Sequence, residues 1–256
     1  GRDGKASVFS HGGCKVPMLM RWPNGIPAGQ VCDELVQNID LVPTYFELAE
    51  AEKPDSYRID GTSLTPLFQN GKANDWRDHV YLEMGAARAA VTKEWSYIAV
   101  RHTKEQVAAI QKASPQNLPK ALSYIGRLGI GVRGADHPGF FDEDQLYNLK
   151  NDPKEMQNLA HDKRQADRLG EMRSLMQHDL EAIGHPFGEF IPGHNTSPPG
   201  QINEQLALVK QIEIQGKKIT VPEALRGKSG ETDHSKLDDK INKKSKRELR
   251  KKSRQE

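Results

Sequence analysis

A change of hydrophobic period is what most constrains this chain. HVYLEMG (79–85) and RAAVTKEWSYIAVR (88–101) are β-rich and alternating, with a turn at Thr92-Lys93-Glu94 and a strand over Trp95–Val100. Successive strand side chains point to opposite faces, so the pattern predicts an antiparallel hairpin. Gln145-Leu146-Tyr147-Asn148-Leu149 reads as another strand, closed by a turn at Asn151-Asp152-Pro153. From Arg164 to Ile183 the period lengthens. Leu169, Met172, Met176, Leu180 and Ile183 step by three or four with charges opposite them, the stripe of an amphipathic helix.

Upstream, Lys15-Val16-Pro17-Met18-Leu19-Met20-Arg21 is a short apolar run between GG and WPNG, which suits a buried strand. Asp40 is placed to cap a helix with Pro43 in its first turn. Leu41, Val42, Tyr45, Phe46, Leu48 and Ala49 give that helix a broad apolar face, so it is expected to be mostly buried. IDGTSLTPLFQNG (59–71) reads as a loop with one helical turn, tied down by Leu64, Leu67 and Phe68, and Glu105–Lys112 is helix-compatible.

Beyond Pro186 the apolar density collapses, which accounts for a chain that is only 36% hydrophobic and 28% charged. From about residue 195 a linker is expected, with Leu206, Leu208, Val209, Ile212 and Ile214 as the one stretch able to form a docking helix or strand. Residues 240–256 hold nine Lys or Arg against Glu248 and Glu256. That leaves the stretch at +7 and the remainder at −5 of the total +2. Such a run is usually a solvated tail; if it acts at all, it binds polyanions by counterion release. No aromatic residue interleaves it, so base stacking has no support.

Two cysteines, Cys14 and Cys32, exclude a disulfide scaffold and a Cys-based zinc site; one bridge or two separately buried thiols remain equally open. The nine histidines show no H-x-H or H-E-x-x-H spacing. GIGVRG (129–134) meets G-x-G-x-x-G formally, but ADHPG follows it instead of a helix, which excludes a dinucleotide site. No run approaches the roughly 18 apolar residues of a membrane helix.

GKASVF, then GG and KVPMLMRWP, IPAG, DELVQNIDLVPTYFELA, DGTSL and LYNLKNDPKEMQNLA follow one another between residues 4 and 160. In that order they resemble the back half of the type I sulfatases, arylsulfatase-like members of the alkaline phosphatase superfamily. The resemblance implies an α/β fold in three parts. Residues 1–75 would form the C-terminal end of a large parallel-sheet catalytic domain. Residues 76–190 would be a small antiparallel-sheet-and-helix subdomain, and 191–256 a linker with a basic disordered tail. Opening at Gly1 on a glycine-rich loop, with no initiator methionine or leader, the chain reads as a processed product or as the back part of a longer protein.

The function implied is hydrolysis of sulfate monoesters, aryl or carbohydrate. The alternatives are a phospho- or phosphonate ester hydrolase of the same superfamily, or a non-catalytic binding fragment. Lys5 holds the place of the family lysine that reaches the substrate sulfate. A loop lysine is by default solvated, and the surrounding signature is what reverses that reading. His11 and Arg88 are expected to line or face the substrate, although a surface loop and a solvated hairpin end are the ordinary states of such residues. Calcium and a formylglycine nucleophile, from a C/S-x-P-S-R motif, belong to the full-length parent. Cys14 is followed by Lys-Val-Pro and Cys32 by Asp-Glu-Leu, so neither lies in such a motif, and no metal ligand is assigned here. Localisation is not legible in these residues; a periplasmic or extracellular parent is the expectation.

Overall fold

A computed structural model describes residues 14–122, 139, 141–193 and 195–214. The alternating segment folds as expected into β1 (His79–Met84), β2 (Ala87–Thr92) and β3 (Trp95–Val100), joined by tight turns. A fourth strand, β4 (Asp144–Asn148), completes an antiparallel sheet in the order β1-β2-β3-β4. Two residues, Gly85 and Ala86, close the first hairpin. Gly85 sits at φ 54°, the left-handed value that two-residue hairpin turns require.

The strict alternation buries two faces. On one, Ala90, Tyr97, Ala99 and Leu146 meet Met172, Met176 and Leu180 of a long helix, α4 (Ala166–Ile183), together with Phe187 and Phe190. This is the sheet-on-helix packing predicted from the 164–183 stripe. On the other face, Ala87, Ala89, Ile98, Val100 and Tyr147 pack under α2 (Lys104–Lys112), the short α3 (Leu118–Ala121) and α5 (Asn203–Ile214). The sheet is thus the middle layer of three. Thr103 caps α2, accepting from the Gln106 amide at 3.2 Å while the Gln106 side chain accepts from the Thr103 amide at 2.8 Å.

The helix α5 forms at the stretch named as able to dock, inside what is otherwise expected to be a linker. The linker predicted from about 195 instead delivers Ile202, Leu206 and Val209 into the core, with Ile202 and Val209 wholly buried. Three apolar side chains at helical spacing suffice to dock one turn after another on a sheet face whose other covers are short.

Residues 14–75 contain α1 (Leu41–Leu48) and two single 3-10 turns, Asn38–Asp40 and Thr65–Leu67, but no strand among the described residues. The loop at 59–71 behaves as predicted: Leu64, Leu67 and Phe68 are buried around the 3-10 turn, with Ile26, Leu41 and Trp76 packed against them. Two other expectations are corrected. Val16-Pro17-Met18-Leu19-Met20 forms no ladder among the described residues, and Leu19 is 98% exposed. α1 is not mostly buried either, for Val42, Tyr45 and Leu48 face outward. The reason is the same for both: a strand or an apolar helix face is buried only by a neighbour, and no described residues cover these. Cys14 and Cys32 are both exposed and form no disulfide, which corrects the expectation of a bridge or buried thiols.

Candidate functional site

Lys5 and His11 lie outside the described residues, as does the GIGVRG loop. Arg88 is placed at the start of β2, directly across the ladder from Glu83. Its Nη1 donates to the carbonyls of Gly85 (2.8 Å) and Ala87 (2.9 Å), so the side chain braces the turn that precedes it. Nε lies 3.2 Å from Glu83 Oε2, and the guanidinium stacks 4.8 Å from the Phe187 ring centroid. The Tyr81 hydroxyl donates to the same Glu83 oxygen at 3.0 Å. Burial pushes the Tyr81 phenol above its ordinary value, and the hydrogen bond to Glu83 and the nearby carboxylates add to this against the pull of Arg88. The hairpin tip therefore presents an ordered corner of Tyr81, Glu83, Arg88 and Phe187, in which one carboxylate already balances the cation.

The motif-bearing segment 22–77 is drawn together by one buried carboxylate. Asp40 is placed in the sequence to cap a helix, yet its carboxylate caps nothing in α1. Instead Oδ1 accepts from the Thr62 amide (2.9 Å) and Arg77 Nη2 (2.7 Å), and Oδ2 from the Gln37 amide (2.7 Å) and Arg77 Nη1 (2.9 Å). The Asp40 side chain has no solvent exposure. Its backbone carbonyl accepts from Thr44 Oγ1 at 2.6 Å, and that hydroxyl accepts from the Leu64 amide at 2.9 Å. The DLVPT helix and the DGTSL loop thus share one polar centre. Gly61 permits the approach, because a Cβ there would lie 2.2 Å from the carbonyl oxygen of Ile39. Trp76 Nε1 to the Leu35 carbonyl (2.8 Å), Gln37 Nε2 to the Tyr81 carbonyl (3.1 Å) and a Lys93–Glu34 ion pair (2.6 Å) extend the joint onto the sheet.

A second polar centre was invisible in the sequence. Arg101 is fully buried at the end of β3 and donates to the Val100 and Glu143 carbonyls, Asp144 and both oxygens of Glu189. Arg173 from α4 reaches Asp144 (2.9 Å), Glu189 (2.6 Å) and the Tyr97 hydroxyl (2.9 Å). Both guanidinium groups lie over the Phe190 ring. Burial raises the Glu189 carboxyl, but hydrogen bonding and charge from Arg101, and then the Arg173 hydrogen bond, bring it down to about 2. Two cations and two carboxylates leave this centre neutral, so it orders the 187–191 turn against the sheet and offers no net charge to a ligand.

Among the described residues, no group of three or more His, Cys, Asp or Glu lies together in a way that could hold a metal ion, and no helix is long and apolar enough to cross a membrane.

Residues 6–104 match the family model described as N-sulphoglucosamine sulphohydrolase, C-terminal. The chain is 32% identical over 173 residues to an ulvan-active sulfatase of Formosa agariphila, covering 62% of this chain and 31% of that protein. It is 28% identical over 163 residues to human arylsulfatase D, covering 63% of this chain and 26% of the relative. A solved structure in complex with its substrate D-glucosamine-2-N,6-O-disulfate overlays with a TM-score of 0.42 at 21% identity, over 63% of this chain and 27% of that one. The chain thus spans less than a third of the length of these relatives.

Proposed function

This chain is a C-terminal part of a type I sulfatase, and from that premise we propose that the protein it belongs to hydrolyses sulfate monoesters, with carbohydrate sulfates as its substrate class. The observation that carries the reading is that the family match over 6–104 falls on the stretch where the Gly-Gly pair, the RWP segment, the DLVPT helix and the DGTSL loop follow one another in order, immediately after the GK turn. The carbohydrate class is supported by the ulvan-active relative.

In this reading Lys5 is the group that acts on the ester. A compact ammonium with three donors neutralises charge as it gathers on the sulfate oxygens during S–O cleavage. In the same reading His11 is a further candidate for contact with the substrate, and Arg88 contributes by holding the hairpin tip in one shape. The sulfatase resemblance implies calcium and a formylglycine nucleophile in the full-length parent. The described residues do not fit either: they offer no ligand group, and neither cysteine lies in a C/S-x-P-S-R motif. No step is assigned to them here. The +7 stretch at 240–256 would hold the enzyme near an anionic polymer, with binding that falls steeply as salt rises.

The test uses the full-length parent protein. It should turn over sulfated saccharides and a chromogenic aryl sulfate, and Lys5→Ala should lower kcat on the order of a hundredfold, as losing one preorganised charge-stabilising donor does elsewhere. Unchanged kcat and KM would show Lys5 to be ordinary surface. Preference for the aryl phosphate over the aryl sulfate would overturn the sulfatase reading.

A further inference from the structure

We propose that Asp78, His79 and Asp179 form a protonation-dependent latch, which fastens α4 to the outer strand of the sheet for as long as the imidazole carries a proton on both nitrogens. His79 opens β1, an outer strand of the sheet, which among the described residues has a strand neighbour on one side only. Its Nδ1 lies 2.6 Å from Asp78 Oδ1, and its Nε2 lies 3.0 Å from Asp179 Oδ2, near the C-terminal end of α4. A neutral imidazole has one N–H and can donate to only one of these carboxylates, leaving the other nitrogen's lone pair against a carboxylate oxygen. Only the imidazolium satisfies both.

The two halves of the bridge differ in strength. The side chains of His79 and Asp179 are 15% and 20% exposed, so water screens their link only weakly. Asp78 is 80% exposed, and its pair with His79 is correspondingly weak. Asp179 is therefore the fastening, and Asp78 adds to the pull on the proton. The hydrogen bond to Asp179, against burial and with help from Asp78, moves His79 from its ordinary 6.5 up to about 9. Across the ladder His79 faces Thr92, which carries no charge. Tyr81, two residues on along the same face, donates a hydrogen bond to Glu83 and feels the Asp179 charge.

Because the folded value lies above the unfolded one, the latch contributes its full stability below about 6.5 and loses it as pH rises through about 9. The experiment follows the His79 ring by NMR through pH 6–10 in the whole chain. It also records amide exchange in β1 and the last two turns of α4, corrected for intrinsic base catalysis. The ring should titrate near 9, and opening of both segments should rise on the order of tenfold or more across that titration. Asp179→Asn should lower the midpoint and move the opening step with it, and His79→Gln should abolish the step. A midpoint near 6.5, or exchange in α4 that ignores the titration, would overturn the proposal. If His79→Gln does not fold, Asp179→Asn decides alone, since a merely structural Asp179 would leave the ring's midpoint where it was.

Discussion

Replacing Asp40 by asparagine keeps its size and shape but removes the charge that holds the joint. Each carboxylate oxygen accepts one backbone N–H and one Arg77 N–H. The amide has one acceptor and one NH2, and either flip turns the NH2 toward two donors. Two hydrogen bonds are lost and two buried donors, a backbone N–H and an arginine N–H, are left facing a third. Breaking a buried pair from one side costs about 3–5 kcal/mol. Arg77 keeps 17% side-chain exposure and can recover some hydration, so the expected loss is about 3 kcal/mol. Urea unfolding of the whole chain measures it, with circular dichroism for the sheet and tryptophan fluorescence for the joint. Trp76 is a local reporter, because the Arg77 guanidinium stacks 5.1 Å from its ring. Arg77→Ala should cost a similar amount, and the double variant should cost well under the total of the two singles. An Asp40→Asn protein within about 1 kcal/mol of wild type, or strictly additive singles, would refute the picture of one carboxylate organising the segment.

At the second polar centre, Arg101→Lys should destabilise by about 3 kcal/mol despite keeping its charge, because an ammonium cannot serve two carboxylates and two carbonyls from one plane. Chemical denaturation at pH 7 checks it. Glu189 is held down near 2 from its ordinary 4.5, so its contribution is present above about 4.5 and lost as pH falls toward 2. A pH series of unfolding midpoints should show this loss in wild type and a shallower one in Glu189→Gln. Truncation separates the two parts of the C-terminal region. Deleting 215–256 should leave the unfolding midpoint unchanged. Deleting from 203 should lower it markedly, because Leu206 and Val209 leave a hole against the sheet where each large-to-small change costs about 2–5 kcal/mol.

The elements with a strong local period were legible. The 79–101 hairpin, the strand at 145–149 and the helix at 164–183 appear within a residue or two of their expected bounds, and a single helical turn forms inside the 59–71 loop. So was the family, since a motif order is a property of the chain alone. The candidate site was legible only as residue identities. Lys5 and His11 came from the resemblance, and nothing local foretold that Arg88 would pair with Glu83 while lying on Phe187.

What the sequence by itself determined is therefore the set of elements and their faces, because alternation by two and stepping by three or four are written in neighbouring residues. What only the tertiary structure decided is which polar side chains carry the assembly. Asp40 meets Arg77 across 37 residues, Arg101 meets Glu189 across 88, and His79 meets Asp179 across 100. Each of these reads locally as a cap, a surface charge or a stray histidine. The tertiary structure also decided exposure. VPMLM and the outer face of α1 are as apolar as the stretches that are buried, yet they stand in solvent. Burial belongs to a pair of surfaces, and a periodicity describes only one of them.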